Sequence, residues 1–328
     1  MAHAETSYKA AQRVEGSRTK LEGFLESPVG KRTVRLVIRR IYENAPERLF
    51  EWEGMENIDA LADPFFNDKK IILAATHRSH GDGAEVLAAV GKIDQVAPGR
   101  FKNKVYTVAG SMAKEQGPLM AALWNNGVRP YFEEKGITPD LVVSDNDVAE
   151  RGMVRPPQNG ELTKETMLDV DTLNIAHIEG KTKSGKTDPE TGKLYGLQTM
   201  DRGFTAVLIS QRRNKIPTYL LPVSIEGSEI FFDPNKRGFS PEGIKELLMM
   251  LTVSRGTTIG NMDAKLAKML GLGYEDYKPG TVRFGELVSV DDLYTTKQEF
   301  PDNVMRELAK ISSPKYLGDY GRQLLQAA

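Results

Sequence analysis

IILAATHRSHGDGAEVLAAVGKI, residues 71–93, contains the passage on which the fold turns. IILAATH (71–77) is an apolar run with the length of a buried strand, THRSHGDG is polar and glycine-punctuated, and GAEVLAAVGKI (83–93) has a helical pattern. Strand, turn and helix in that order form the repeating unit of α/β proteins. The alternation continues downstream. KVYTVAG (104–110), LNIAHIE (173–179), TYLLPVSI (218–225) and TVRFGEL (281–287) read as strands, rich in Val, Ile, Leu, Tyr and Thr. GPLMAALWNNG (117–127), GFTAVLISQRRN (203–214) and SPEGIKELLMMLTVS (240–254) read as helices. The expected fold is therefore α/β, with a mixed, largely parallel central sheet flanked by helices.

Upstream of this pattern, residues from Thr6 to about Arg48 are helical in character, with a break at Pro28-Val29-Gly30 that predicts two helices. In the second, Val34, Val37, Ile38 and Ile41 recur at i, i+3, i+4 and i+7, while Lys31, Arg32, Arg35, Arg39 and Arg40 supply charge. Such a helix either lies on an anionic membrane or packs on a core with its cationic face in water. The chain thus divides into an N-terminal helical segment, 1–49, and an α/β domain, 50–328. Two polar stretches, 147–165 and 182–198, are expected as surface loops. YLGDYGRQLLQAA (316–328) is either a docking helix or a frayed tail.

Composition narrows the chemistry. The 328 residues carry 44 Lys+Arg against 45 Asp+Glu, a net charge of −1, which argues against a general nucleic-acid coat. No Cys is present, which excludes disulfides, thiolate zinc sites, iron–sulfur clusters and cysteine nucleophiles. No window approaches the ~20 apolar residues that span a bilayer. The N-terminus lacks the layout of a secretory signal. A cytoplasmic protein, soluble or held peripherally at the inner face of a membrane, is expected. Four His are available: His3, His77, His80 and His177.

Three motifs bear chemistry. His77 and Asp82 form H-x-x-x-x-D at a strand end leading into a helix. A carboxylate on Nδ1–H fixes the imidazole tautomer and raises the basicity of Nε2, as a general base requires. A structural histidine bonded to a nearby turn gives the same spacing. His77, His80 and Asp82 also have metal-ligand character, although only His177 remains as a further imidazole ligand. GKTKSGKT (180–187) fits the P-loop template G-x-x-x-x-G-K-[ST], and a phosphotransferase would use Lys186 and Thr187. The turn-like DPETGKLYG that follows does not supply the helix a P-loop needs.

In order along the chain, these segments resemble the glycerolipid acyltransferase family, which includes glycerol-3-phosphate and 1-acylglycerol-3-phosphate acyltransferases. FEWEGMENI (50–58) is similar to the segment that precedes the family's first block, and THRSHGD (76–82) to the N-H-x-x-x-x-D block itself. GVRPYF (127–132) stands where the second block is expected. HIEGKTKSGK (177–186) resembles F-P-E-G-T-R-S-R-S-G-K, MDRGF (200–204) the K-G-A-F segment, IPTYLLPVSI (216–225) the proline-bearing strand, and VRFGELVSVDDL (282–293) the closing V-R-F-G-E-P-I strand. The matches span about residues 50 to 293. The sequence departs from the pattern at Ile178, at Lys181-Thr182, and in the second block, where Tyr131, Phe132 and Glu133 occupy the terminal positions and Arg129 falls earlier.

The resemblance implies acyl transfer from acyl-CoA or acyl carrier protein to glycerol 3-phosphate or its 1-acyl derivative, as in phospholipid biosynthesis. His77 would be the base and Asp82 its orienting partner, with no metal or cofactor required. Arg129, Lys181 and Lys183 are the candidate phosphate ligands, with Arg78 behind them; Ser79 and His80 would line the site. Glu179 and Gly180 would organise the third block. A non-catalytic lipid- or acyl-carrier-binding protein with the same fold is the remaining alternative.

Overall fold

The computed structural model describes residues 23–77, 82–109, 124–143, 148, 158–179, 196–227 and 280–327. The first long helix, α1 (Pro28–Leu49), is followed by β1 (Phe50–Glu53), α2 (Met55–Asp59), β2 (Lys70–Ala75), α3 (Asp82–Val96) and β3 (Asn103–Ala109). Then come α4 (Arg129–Glu134), β4 (Ile137–Val142), α5 (Glu161–Thr166), β5 (Thr172–His177), α6 (Arg202–Arg213) and β6 (Thr218–Glu226). The last part contributes β7 (Gly280–Phe284), β8 (Val288–Ser289), α7 (Val290–Leu293), α8 (Phe300–Ile311) and α9 (Pro314–Gln326).

The strands form one sheet in the order β1-β7-β6-β2-β5-β3-β4, with β8 beside β6. All pairs are parallel except β6–β7 and β6–β8. The expected α/β architecture with a mixed, largely parallel sheet is what the chain adopts. In β2, Ile71, Leu73 and Ala75 enter one apolar cluster, and Ile72 and Ala74 enter another on the opposite face. Alternate side chains of a strand point to opposite faces, so a strand covered on both sides is apolar throughout. On one face the sheet is covered by α1 through Val34 and Ile38, and by α3 through Val86, Ala89, Val90 and Ile93. On the other lie Leu208 of α6, Val304, Met305 and Leu308 of α8, and Leu317 and Leu324 of α9. Each such Val, Leu, Ile or Met side chain, fully buried, contributes about 1.5–3 kcal/mol.

The break expected near Pro28 is present and separates two helices, with Pro28 at the start of the second, α1: Ser27 is its N-cap, with Oγ accepting from Gly30 N at 3.0 Å, and a proline in the first turn costs no hydrogen bond. Residues 23–26, before Ser27, are helical. Several elements differ from expectation for identifiable reasons. Strand β4, with Pro139 in its middle, is at the sheet edge, where a missing N–H is tolerated. Pro222 lies within the central strand β6, yet its carbonyl accepts from Gly285 N in the gap between β7 and β8, so its absent N–H falls where no ladder bond is required. The expected loop at 147–165 ends instead in α5, because buried Asp140 on β4 accepts from Thr163 N at 2.7 Å and caps that helix from a distance. Helix α8 was not expected, although Phe300, Val304 and Leu308 stand at helical spacing.

The C-terminal stretch is a docked helix, with Tyr316, Leu317 and Leu324 buried. It kinks at Gly318, which has φ +60° and meets Gly196 so closely that a Cβ would lie 2.9 Å from the Gly196 Cα. Gly127 likewise lets its turn approach α1, where a Cβ would come within 2.7 Å of Val34 and Ile38. Most of the expected helix at 117–127, the expected helix at 240–254 and most of the loop at 182–198 lie outside the described residues. Among the described residues no helix is long and apolar enough to cross a membrane.

At the N-terminal end of β2, fully buried Lys70 donates to the carbonyls of Thr166, Asp169 and Thr172 at 2.9, 2.8 and 2.6 Å. Burial pushes this ammonium down to about 7 against the attraction of the nearby Asp169 carboxylate, and only the charged form has three protons to give the three carbonyls. Lys70→Met, similar in length but without donors, is expected to lower the unfolding free energy by about 2–4 kcal/mol. Urea denaturation monitored by circular dichroism checks this; a loss under about 0.5 kcal/mol would contradict the role.

Candidate active site

Strands β2 and β5 are parallel neighbours with Ala75 opposite His177, so the residues leaving their C-terminal ends meet. That edge of an open α/β sheet is where such folds build their sites. His77 leaves β2 two residues after Ala75, on the same face as Leu73 and Ala75. Its main chain is held from both sides. Thr76 Oγ1 accepts from Ile225 N of β6 at 2.9 Å, and Thr76 N donates to Val223 O at 2.9 Å. Buried Glu179, just beyond β5, accepts from His77 N at 2.7 Å through Oε2 and from Gln198 N at 3.0 Å through Oε1.

Asp82 opens α3 and is fully buried. Its Oδ2 lies 3.0 Å from His77 Nδ1. The first turn of a helix favours a carboxylate through its unpaired amides and dipole. The imidazole therefore carries its proton on Nδ1, and the His77 side chain, 12% exposed, keeps Nε2 without a hydrogen-bond partner among the described residues.

His177 completes the cluster. Its ring stacks on His77 with centroids 4.2 Å apart and planes inclined by 22°. Nδ1 lies 2.7 Å from Thr76 O and Nε2 lies 2.8 Å from Tyr106 Oη on β3. Burial, followed by the neighbouring His77, pushes His177 down to about 3, so this imidazole is neutral. Phe132 stacks on Tyr106 at 5.3 Å and 15°, which ties the GVRPYF segment to the site through packing. His77, Asp82 and His177 place ligand atoms within 4.8 Å of one another, a set of the kind metals use. Both nitrogens of His177 already have partners, so a bond from it to an ion would displace either Thr76 O from Nδ1 or the Tyr106 hydroxyl from Nε2.

Of the other residues expected at the site, Arg129 begins α4, is exposed, and donates from Nε to Glu133 at 2.8 Å; among the described residues no hydrogen bond or ion pair joins it to His77 or Asp82. Arg78, Ser79, His80, Gly180, Lys181, Lys183, Lys186 and Thr187 lie outside the described residues. Sequence reasoning did not reach Tyr106 or the stacking of His177. The available signal was parity: His77 falls two residues after Ala75, and His177 two after Ile175, both on one sheet face once the strands are known to pair.

Glu85, one turn after Asp82, is also buried, and among the described residues its Oε2 has no hydrogen-bond partner. Burial, reinforced by the nearby Asp82 charge, raises its carboxyl well above the ordinary range. A carboxyl held neutral in the fold and ionised in the unfolded chain loses stability as pH rises through the ordinary glutamate range and up to its raised value. Glu85→Gln, already neutral, is expected to be more stable than wild type at pH 7 and to lose that advantage below about pH 4. Thermal melts at the two pH values check the sign; an equal offset at both would contradict it.

No protein-family model matches the chain, and no curated protein matches it.

Proposed function

We propose that the protein is an O-acyltransferase that moves a fatty acyl group from an acyl thioester to a hydroxyl of glycerol 3-phosphate or 1-acylglycerol 3-phosphate. The observation that carries this reading is the 3.0 Å contact between His77 Nδ1 and buried Asp82, with Nε2 left for a substrate proton. The ordered resemblance of seven short segments to glycerolipid acyltransferases supplies the substrate class.

The residues perform the reaction as follows. The acceptor hydroxyl oxygen attacks the thioester carbonyl carbon while its proton passes to His77 Nε2. Asp82 holds the ring and stabilises the imidazolium, as in the hydroxyl–His–Asp arrangement of serine hydrolases, except that the hydroxyl here belongs to the substrate. Collapse of the tetrahedral intermediate breaks the carbon–sulfur bond, and His77 returns the proton to the departing thiolate. Glu179 acts on the main chain of His77 rather than on the reacting atoms. Coenzyme A and acyl carrier protein both suit this chemistry as donor carriers, and cationic residues of the third block would hold the acceptor phosphate.

Peripheral contact with a membrane belongs to the same reading. Val29 and Leu36 are 66% and 58% exposed on α1, and Arg32, exposed between them, stands at helical spacing from both. An apolar stripe carrying cations suits an anionic lipid surface.

The decisive assay is thiol release from palmitoyl-CoA, and then from palmitoyl-acyl carrier protein, with and without each acceptor. Release that depends on acceptor is expected, with kcat falling about 10²–10⁴-fold in His77→Ala and in Asp82→Asn. Undiminished release by His77→Ala, or none with either donor, would sink the proposal. For the surface, Leu36→Glu is expected to reduce sedimentation with phosphatidylglycerol vesicles roughly tenfold. Equal sedimentation of wild type and variant would remove α1 from the contact.

A further inference from the structure

We propose that His177 is a positioning residue that assigns the proton of the histidine pair to His77: a neutral imidazole, locked in one tautomer by Thr76 and Tyr106, whose face fixes the plane of the His77 ring. The inference rests on the acyl-transfer reading for its catalytic consequence, but not for its protonation chemistry.

The tautomer follows from the partners. A backbone carbonyl only accepts, so Nδ1 of His177, 2.7 Å from Thr76 O, carries hydrogen. Nε2 then holds a lone pair and accepts from the Tyr106 hydroxyl at 2.8 Å. Both ring nitrogens are satisfied in the uncharged state. Protonating Nε2 would deprive Tyr106 of this acceptor and place a cation in a site already stacked, at 4.2 Å, on a ring that becomes an imidazolium during turnover. Two stacked imidazoles can share one positive charge cheaply, but not two. The hydrogen bonds decide which ring receives it: His77 faces a carboxylate, whereas His177 faces a carbonyl and a hydroxyl. Among the described residues, the titratable groups around the pair are Asp82 and Glu85 on α3, Tyr106 on β3 and Glu179 beyond β5, with Tyr42 of α1 coupled to Asp82 and Glu85. Asp82 favours a cation at His177, and the desolvation of its ring and the nearness of His77 outweigh that attraction.

The stack also does mechanical work. An imidazole held only at Nδ1 can swing about that bond; a flat ring against its face removes the swing and keeps Nε2 aimed. His177 is itself held by β3 and by the strand end of β2, and Phe132 stacks behind Tyr106, so the platform is backed by buried residues.

Nitrogen-15 imidazole shifts of the intact wild-type protein, followed from about pH 5 to pH 8.5, test the protonation claim. The expected result is that His177 keeps its proton on Nδ1 and takes no second proton across the range. A His177 that titrates there, or that carries its proton on Nε2, overturns the proposal. This measurement needs no acyl donor, so it decides the matter even if the protein proves not to be an acyltransferase. Thiol-release kinetics test the consequence. His177→Ala is expected to lower kcat roughly 10- to 100-fold with KM little changed, and His177→Phe, which restores a flat ring, to recover most of that loss. A folded His177→Ala protein with kcat within about twofold of wild type, or a Phe variant no better than Ala, rejects the platform.

Discussion

The Asp82 carboxylate is removed from water, and a buried anion is costly unless it is paired and hydrogen-bonded. That requirement organises everything around it. The start of α3 supplies the favourable end of the helix dipole, and His77 supplies the Nδ1–H. For the pairing to persist, the ring must stay put, and it is reached from several parts of the chain. β6 holds Thr76, the end of β5 contributes Glu179 against the main chain of His77, and His177 covers the face of the ring. A loop between a strand and a helix would ordinarily be a mobile place to keep a reactive group. Here its first two residues are tied into the strands on both sides.

The charges in this protein fall into two groups with different consequences. Most ion pairs, such as Arg129 with Glu133 or Lys31 with Glu26, lie in water and contribute little to stability. Lys70, Asp140, Glu179 and Glu226 are buried, and each reaches into backbone of another segment: Lys70 the 166–172 turn, Asp140 the start of α5, Glu179 the His77 and Gln198 amides, and Glu226 the Ser313 amide at the start of α9. Buried polar side chains thus serve as joints between elements distant in the chain. Glu85 behaves differently: among the described residues its Oε2 has no hydrogen-bond partner, and burial raises its carboxyl out of the ionised range.

Much of this was legible from the residues alone. The five strands read from apolar runs lie where expected, because a doubly covered strand is apolar on both faces and needs no partner to be recognised. The strand with a central proline and the helix capped from β4 were not legible, since the edge position of Pro139 and the reach of Asp140 are properties of the assembled sheet. The same limit governs the site. His77 and Asp82 are close in sequence, so their spacing alone brings them together. His177 and Tyr106 are 71 residues apart, and their hydrogen bond exists only because β5 lies between β2 and β3. Arg129 was selected for its charge, whereas the segment around it enters the site through the ring of Phe132.

Strand β2 is clamped at both of its ends by side-chain contacts with other segments, Lys70 to the carbonyls of 166–172 below and Thr76 to β6 above. A slide of one residue against its neighbours would carry His77 about 3.3 Å along the sheet and turn its ring to the opposite face. Sliding is therefore opposed twice, by a cation at one terminus and a hydroxyl at the other. The buried lysine, at the far end of the strand from the chemistry, works as an axial stop that keeps the two imidazoles in step.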